Sequence, residues 1–380
     1  MKIYISKPAI LTGIGNEKDI INASLNNKTS LHKESFLNKE FMVSKIKEKL
    51  EKIPNSFDSS MHSRTNEIAL NTVLKIKDEI NKTIKKYGKE NIGVVVATTT
   101  SGVDENFKIF KKGEFDRSKF EIEKNALYNP SEFIKTLFDL NNVSYTISTA
   151  CTSGLKAINE GVNLIKSGIC KAAIVGGVDS LNALTLFGFD SLSILSDEKC
   201  MPFSKDRKGT NLGEGACFML LDKEQVSPFL IKSFSSNCDA FHITTPRNDG
   251  FFQTKLIKDA LKTANLNEVD YINLHATGTL ANDEMESNAI NLTLPNTPAS
   301  GIKQIIGHTL GAAGAIEIGI CLELLSEENI LPFHNIEKID ENLPKFNLLK
   351  TPIKNKIKNA MSLSFAFGGD NAAMIVGLEK

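Results

Sequence analysis

SYTISTACTSGLKAINEGVNLIKSG, residues 144–168, changes its hydrophobic pattern near the middle, and this change indicates the fold. The first residues, Ser144–Ser148, are typical of a short extended strand. Beyond Cys151 the apolar positions recur every three or four residues until Gly168, as on one face of a helix. These positions are Leu155, Ile158, Val162 and Ile165. A strand is therefore predicted to turn into a helix at Cys151.

Short apolar runs alternate with longer amphipathic stretches along the whole chain, which predicts an α/β fold with a sheet covered on both faces. The predicted strands are Asn91–Ala97, Ser144–Ser148, Lys171–Val175, Ala216–Leu221, Tyr271–Leu274 and a terminal pair, Met361–Phe365 and Ala372–Leu378, joined through Gly368 and Gly369. The lysine-rich stretch from His32 to about Asn55 is interpreted as a surface helix. A chain of 380 residues is long enough for two packed halves, and the charged segment Asp222–Pro228 predicts their boundary, giving residues 1–224 and 225–380.

Charge and cysteine content exclude several classes of protein. The 45 Lys+Arg balance the 45 Asp+Glu, so the net charge gives no reason to expect a nucleic-acid partner. The six cysteines form no CxxC pair and the six histidines complete no zinc pattern, so we expect free thiols in a reducing cytoplasm and no metal. No segment approaches the ~20 apolar residues of a membrane-spanning helix.

Cys151 is a candidate nucleophile because it lies at the start of the predicted helix. Unpaired N–H groups and the positive end of the helix dipole favour a thiolate there, and they can lower a thiol pKa below its usual ~8.5. The thiolate attacks thioesters, and the same N–H groups can stabilise a tetrahedral oxyanion. The alternative is that Cys151 is a small buried apolar residue, which is the usual role of a lone cysteine.

Two histidines follow apolar runs in the second half of the chain. His275 opens HATGT after the strand YINL, and Thr277 and Thr279 lie two residues apart, so their hydroxyls can project the same way. His308 precedes a helix so rich in Gly and Ala that another backbone must pass close to it. Neutral imidazole N–H groups can stabilise an enolate, although a lone histidine beside small residues is more often structural.

Together these motifs resemble one family. TACTSG around Cys151, HATGT from His275, and KQIIGHTLGAAGAIE with Lys303 and His308 resemble the elongating β-ketoacyl-[acyl-carrier-protein] synthases of the Cys-His-His type. Further blocks agree in the same order, so the resemblance covers nearly the whole chain; they are residues 12–16, 201–216, 238–250 and 364–373.

The resemblance implies a thiolase-like fold of two pseudo-symmetric halves, stacked as α-β-α-β-α layers with the active site between them. It implies a decarboxylative Claisen condensation in fatty acid or polyene/polyketide biosynthesis. Cys151 would take the acyl group from the phosphopantetheine of an acyl carrier protein, and His275 and His308 would promote decarboxylation of the malonyl carrier protein. No cofactor is expected on the enzyme itself.

The resemblance also implies roles for neighbouring residues. The backbone N–H groups of Cys151 and Phe367 would form the oxyanion hole, the Phe367 side chain would gate the acyl pocket, and Lys303 would act electrostatically. The residues expected to contact phosphopantetheine or the acyl chain are Thr277, Thr279, Phe189 and Phe365. The supporting carboxylates would be Glu317, Asp283 and Glu286.

Two positions depart from the family pattern: Gly278 stands for the usual serine and Asp370 for the usual threonine. The compact length, the pattern at residues 282–286 and the LSFAFGG ending resemble synthases of aryl polyene clusters. The expected partners are an acyl carrier protein and a second subunit, either an identical chain or a related synthase or chain-length factor.

Two other functions share this fold. A non-elongating chain-length factor lacks the nucleophile, whereas this chain has Cys151. A thiolase acting on coenzyme A esters needs a second cysteine near the C-terminus, and no cysteine follows Cys321.

Overall fold

Completely buried strands lie at the centre of the molecule. The computed structural model describes residues 1–107, 109, 117–326 and 329–379. The strands are β1 Tyr4–Ile5, β2 Ala9–Thr12, β3 Leu31–Phe36, β4 Lys39–Ser44, β5 Ile92–Ala97, β6 Ser144–Ile147, β7 Ala172–Asp179, β8 Leu212–Gly213, β9 Gly215–Asp222, β10 Phe229–Cys238, β11 Tyr271–Asn273, β12 Ala299–Ser300, β13 Asn329–Leu331, β14 Ile353–Asn355, β15 Asn359–Phe365 and β16 Asp370–Leu378. Every residue of β5, β7 and β9 is buried, as expected of strands covered on both faces.

Helices cover the strands on both sides. They are α1 Glu17–Leu25, α2 Arg64–Val73, α3 Lys77–Tyr87, α4 Val103–Phe107, α5 Ile122–Asn125, α6 Asn129–Leu137, α7 Ser153–Lys166, α8 Ala183–Ser191, α9 Phe251–Ala264, α10 Leu280–Asn291, α11 Lys303–Ile306 and α12 Ala313–Ser326. Among the described residues, no helix has both the length and the apolar character needed to cross a membrane.

The sheet runs through both halves of the chain. Its strand order is β12-β11-β15-β16-β10-β1-β9-β7-β5-β6, with β2 paired to β9. The short strand β1 pairs antiparallel with both β9 and β10, and so joins the strands of the first half to those of the second. The pairs β11–β12 and β11–β15 are parallel, as are β5–β6 and β5–β7, which gives each half a parallel segment.

Alternate side chains of the strands enter different cores, and this alternation defines five layers. One core joins one face of β5, β7 and β9 to α2, α3 and α6. The opposite face of β7 and β9 packs on α7 and α12, which also cover β15 and β16. The far face of β15 and β16 packs on α9 and α10. The predicted α-β-α-β-α arrangement is confirmed, with α7 and α12 as the middle layer.

Every strand predicted from the sequence is present, and β15 and β16 are joined through Gly368 and Gly369 as expected. The predicted surface helix from His32 to about Asn55 is wrong, because β3 and β4 form an antiparallel hairpin there. The burial of β3 alternates along its length, and Phe41 and Val43 of β4 are buried. A period of two is a strand signal, and the charged residues at exposed positions, such as Lys33, Lys39 and Glu40, obscured it.

The two middle helices approach each other closely at glycine. A Cβ added to Gly154 of α7 would collide with the backbone N of Ala315 and lie 3.1 Å from the carbonyl O of Gly311. A Cβ on Gly314 would lie 2.9 Å from Leu155. The sequence prediction that another backbone passes close to the Gly/Ala-rich helix is confirmed, and this contact places the start of α7 beside the start of α12.

We predict that Gly154→Ala destabilises the protein by ~2 kcal/mol, because overpacking a backbone contact costs more than alanine gains in helix propensity. Gly188→Ala in α8 is the matched control, since no atom lies within 4 Å of its added Cβ. Urea titration should show a lower midpoint for Gly154→Ala and an equal or higher one for Gly188→Ala. Equal midpoints for the two variants would mean that the close approach is not a constraint.

Candidate active site

The chain turns sharply between β6 and α7, and Cys151 lies in this turn. Ala150 adopts a left-handed conformation with φ of 53°, which non-glycine residues rarely adopt. The turn is held by the Ser153 hydroxyl, which donates to the Ala150 carbonyl and accepts from the N–H of Thr149 at 2.8 Å. Cys151 precedes the first helical residue by two positions, as predicted.

His308 contacts the sulfur of Cys151. Its Nε2 lies 3.0 Å from Cys151 Sγ, and both side chains are buried. The histidine backbone is held to the strand region before β9, where its N–H donates to the Asn211 carbonyl at 2.7 Å and its carbonyl accepts from Gly213 N–H at 2.9 Å. Burial and the Lys303 ammonium hold the pKa of His308 well below its usual value, so the ring is neutral and Nε2 can accept a proton.

His275 completes the cluster. The sulfur of Cys151 and one ring nitrogen from each of the two histidines all lie within 4.8 Å of one another. The two imidazole rings are 5.4 Å apart in an edge-to-face arrangement. Burial, Lys303 and His308 keep the pKa of His275 well below its usual value. The fold therefore brings together the three residues proposed from separate parts of the sequence.

A buried ammonium determines which ring nitrogen of His275 carries the proton. Lys303 Nζ lies 3.4 Å from His275 Nδ1 and forms an ion pair with Glu317. Because an ammonium only donates, Nδ1 accepts and the neutral ring carries its proton on Nε2. Burial raises the pKa of Glu317, while Lys303 opposes this shift. A nitrogen and sulfur cluster of this kind also suits a metal ion, but the Lys303 ammonium disfavours a cation here.

Two carboxyl groups hold the loop that carries His275. Glu286 of α10 accepts from the N–H of His275 at 2.7 Å and from the N–H of Ala276 at 2.8 Å. Asp283 accepts from the N–H of Phe203 at 2.7 Å and of Gly278 at 3.2 Å. Burial raises the pKa of Asp283 to about 6 and that of Glu286 to about 8. The structure thus places both carboxyl groups, which the resemblance implied as supports, against the backbone around His275.

Gly278, which departs from the family pattern, is required by the backbone of this loop. Its φ is 80°, in the left-handed region, and an added Cβ would lie 2.8 Å from the Gly209 carbonyl O. Thr277 and Thr279 lie on either side of it, with their hydroxyl oxygens 3.0 Å apart. The predicted projection of both hydroxyls to one side is therefore present.

A cavity of about 380 Å³ reaches the cluster from outside. The predicted substrate residues line it together with the three cluster residues; they are Thr277, Thr279, Phe189, Phe365 and Phe367. Phe189 stacks on Phe367 with ring centroids 5.6 Å apart, and Phe365 lies 5.8 Å from the His275 ring. The backbone N–H groups of Phe367 and of Cys151 itself lie close enough to Cys151 Sγ to oppose the rise of its pKa, so both are candidate donors for an oxyanion hole.

Several cavity residues were not predicted. Asp239, His242 and Thr244 line the cavity from the loop after β10, and Arg207 lines it from the loop before β8. These residues lie in segments 201–216 and 238–250, which resemble family blocks but for which the resemblance implied no individual roles. Their irregular backbone has no hydrophobic period, so nothing in the pattern indicated which side chains face inward.

The expected direction of the Cys151 pKa shift is wrong. The helix terminus was expected to lower the pKa of Cys151, but burial raises it to about 12, against the opposing effects of Lys303 and the N–H groups of Cys151 and Phe367. The resting nucleophile is therefore a neutral thiol. Its activation requires the base at 3.0 Å, His308.

A five-layer fold with a Cys-His-His cluster at the joint of its halves defines a condensing enzyme of the thiolase-like superfamily. Family models describe residues 26–226 as "Beta-ketoacyl synthase, N-terminal domain" and residues 229–337 as "Beta-ketoacyl synthase, C-terminal domain". The chain belongs to the β-ketoacyl synthase family. It is thus an acyltransferase of the elongating type, as the sequence predicted.

Individual relatives agree with this assignment. The chain is 31% identical to 3-oxoacyl-[acyl-carrier-protein] synthase 2 of Synechocystis sp. over 77% of its length and 76% of the relative's. It is 26% identical to 3-oxoacyl-[acyl-carrier-protein] synthase 1 of Buchnera aphidicola over 99% of its length and 98% of the relative's. Among solved structures, a ketosynthase (ApeO) in complex with its chain length factor (ApeC) from Xenorhabdus doucetiae is 34% identical, with a TM-score of 0.93 over 100% of this chain and 98% of that chain.

We predict that alkylation of Cys151 by iodoacetamide rises about tenfold per pH unit from pH 7 to pH 9.5 without a plateau, because a thiol with a pKa of about 12 stays mostly protonated over this range. Peptide mass spectrometry of the digested protein would follow Cys151, and the exposed Cys238 would report in the same digest that the reagent is active. A plateau below pH 8 would instead restore the lowered pKa expected from the helix terminus.

Proposed function

We propose that this β-ketoacyl synthase joins an acyl group held on Cys151 to a malonyl group carried by an acyl carrier protein, with loss of carbon dioxide. The contact that carries the proposal is His308 Nε2 at 3.0 Å from Cys151 Sγ, inside a cavity that also holds His275. The substrates would arrive as thioesters of phosphopantetheine, and the enzyme would need no cofactor of its own.

The first step loads the acyl group. His308 Nε2 takes the thiol proton while Sγ attacks the acyl thioester carbonyl, and the N–H groups of Cys151 and Phe367 stabilise the oxyanion. The carbonyl carbon then releases the phosphopantetheine sulfur, which receives the proton from His308. The products are an acyl-Cys151 thioester and a free phosphopantetheine thiol, and His308 is neutral again.

The second step uses both histidines as donors. The malonyl carboxylate leaves as carbon dioxide, and its bonding electrons form an enolate, whose oxygen accepts from His275 Nε2–H. His308 Nδ1 has no hydrogen-bond partner among the described residues, so its tautomer is not fixed and Nε2–H can donate once the sulfur is acylated. The enolate carbon attacks the acyl-Cys151 carbonyl, the C–S bond breaks, and a proton from water restores the thiol.

The cavity wall supports roles for the substrate-binding residues. The paired hydroxyls of Thr277 and Thr279 lie where an amide-bearing phosphopantetheine arm would enter, and phenylalanine rings surround the rest. Phe367 connects the two regions, because its side chain stacks on Phe189 while its N–H faces Cys151. We propose that this ring moves to admit the acyl chain.

The two alternative functions are less well supported. A chain-length factor has no use for a thiol with a base at 3.0 Å, and a thiolase needs a second cysteine in the site, whereas Cys151 is the cysteine of the described cluster. The ketosynthase from Xenorhabdus doucetiae is described in complex with its chain length factor. We therefore propose a polyene-type synthase that pairs with a chain-length-factor subunit, and a division of the chain into halves 1–224 and 225–380.

We predict that Cys151→Ala forms no extended product, because no other group can hold the acyl chain. His275→Ala should lower carbon dioxide release from malonyl carrier protein ~100-fold and acyl loading of Cys151 less than ~10-fold, since it removes one enolate donor. Mass spectrometry of carrier-bound products and of Cys151 peptides would measure each step. Glu224→Gln, which alters an exposed carboxylate outside the residues that line the cavity, should retain both steps. Equal loss of both steps in His275→Ala would contradict the assigned role.

A panel of acyl primers, with and without a co-expressed chain-length-factor subunit, tests the partner and the subtype. We expect the isolated chain to extend acyl primers slowly. The paired chain should extend conjugated acyl groups at least ~10-fold faster, and native mass spectrometry of the complex should show one copy of each subunit. Full activity of an identical-chain dimer on saturated primers would contradict the polyene assignment and leave the condensing chemistry in place.

A further inference from the structure

Asp370, one of the two departures from the family pattern, forms a charged link to the helix that follows the nucleophile. It opens β16, directly after the turn Phe367–Gly369. Lys156 Nζ of α7 donates to Asp370 Oδ1 at 2.7 Å, and the hydroxyl of Thr152 donates to Oδ2. The side chains of Lys156 and Asp370 are each 23% exposed, so the pair is largely shielded from water.

Thr152 connects this carboxylate to the nucleophile turn. Its hydroxyl lies within hydrogen-bond distance of Asp370, of the Thr149 carbonyl and of the Thr149 hydroxyl. A hydroxyl has one proton, and a carboxylate is the strongest acceptor of the three, so Thr152 donates to Asp370 and accepts from the Thr149 hydroxyl at 2.9 Å. Hydrogen bonds thus link Thr149 to Thr152 and Thr152 to Asp370, and Thr149 and Thr152 lie on either side of Cys151 in the sequence.

The turn before Asp370 is held on one side by the end of β10 and the loop after it, where the Gly369 carbonyl accepts from the N–H of Asp239 at 2.9 Å and Cys238 Sγ lies 3.5 Å from the Gly368 carbonyl O. Gly368 and Gly369 have φ values of 83° and 76°, and no atom lies within 4 Å of a Cβ added to Gly368. The turn contacts the loop after β10, where Gly368 N–H donates to the Ile243 carbonyl at 2.7 Å. Phe367, whose N–H faces Cys151 Sγ, belongs to this turn. Its distance from the sulfur therefore depends on these contacts on one side and on the residues that link the turn to α7 on the other.

Building on the function proposed above, we propose that Asp370 is a positioning residue: its link to Lys156 and Thr152 holds the Phe367 turn against α7, keeping the Phe367 N–H on the reacting carbonyl and the acyl pocket closed. Asp370 touches no reacting atom. Its loss should impair the steps that use the oxyanion hole and spare the step that uses His275 and His308.

The test compares three rates in Asp370→Asn and Lys156→Met. We expect acylation of Cys151 to slow about tenfold, because the oxyanion donor is displaced rather than removed. Carbon dioxide release from malonyl carrier protein should change less than about twofold, since its donors are untouched. Hydrolysis of the acyl-Cys151 thioester should also slow about tenfold, because water addition to that carbonyl forms an oxyanion at the same two N–H groups. Lys156→Arg, which keeps the positive charge, should acylate Cys151 at a rate within about twofold of the unaltered protein. The double variant Asp370→Asn/Lys156→Met should acylate no more slowly than Asp370→Asn alone, because both changes break the same link.

Glu224→Gln is the matched control. It removes another ion pair, Lys86 Nζ to Glu224 at 2.7 Å, outside the residues that line the cavity, and should change none of the three rates. If Asp370→Asn behaves like Glu224→Gln, the proposal is wrong. It is also wrong if all rates fall together with a lower unfolding midpoint. If the unaltered protein neither acylates Cys151 nor releases carbon dioxide, the proposed function itself fails.

Discussion

The contact between Cys151 Sγ and His308 Nε2 joins side chains that are 157 positions apart in the chain. Only the close packing of α7 on α12 makes it possible, since each residue lies just before one of these helices. Gly154 and Gly314 allow that packing, because a Cβ at either would meet the backbone of the other helix. The reactive distance is thus a consequence of two glycines in the middle layer, and the sheets on either side hold those helices in place.

Burial sets the charge of every group in the cluster. Both imidazoles and the thiol are neutral because the surrounding core disfavours their charged forms. The Lys303–Glu317 ion pair adds a charge that has a partner, and the Lys303 ammonium at Nδ1 holds the His275 proton on Nε2. A buried charge without this partner would be costly, so Glu317 supports the site by making Lys303 possible.

Much of this architecture follows from sequence pattern. The strands β5, β7, β9 and β16 contain continuous apolar runs. The position of Cys151 before α7 follows from a change of period. The hairpin β3–β4 was missed because lysine and glutamate occupy its exposed positions. The raised pKa of Cys151 was missed because a helix terminus is visible in sequence, whereas the depth of burial depends on residues from both halves. The inward side chains of the loop after β10 have no periodic signal at all.

A high thiol pKa is compatible with catalysis because the base is already in contact. A permanently ionised sulfur in this cavity would lose hydration, and the N–H groups of Cys151 and Phe367, the His308 ring and the ammonium of Lys303 would have to compensate for that loss. A neutral thiol avoids that cost until a thioester carbonyl is seated, when negative charge passes to an oxygen that the two N–H groups can bind. The placement of Phe367 then matters more than the acidity of the thiol, because it decides where that oxygen is stabilised. An anchored turn is therefore useful in a loop that contains two consecutive glycines, Gly368 and Gly369.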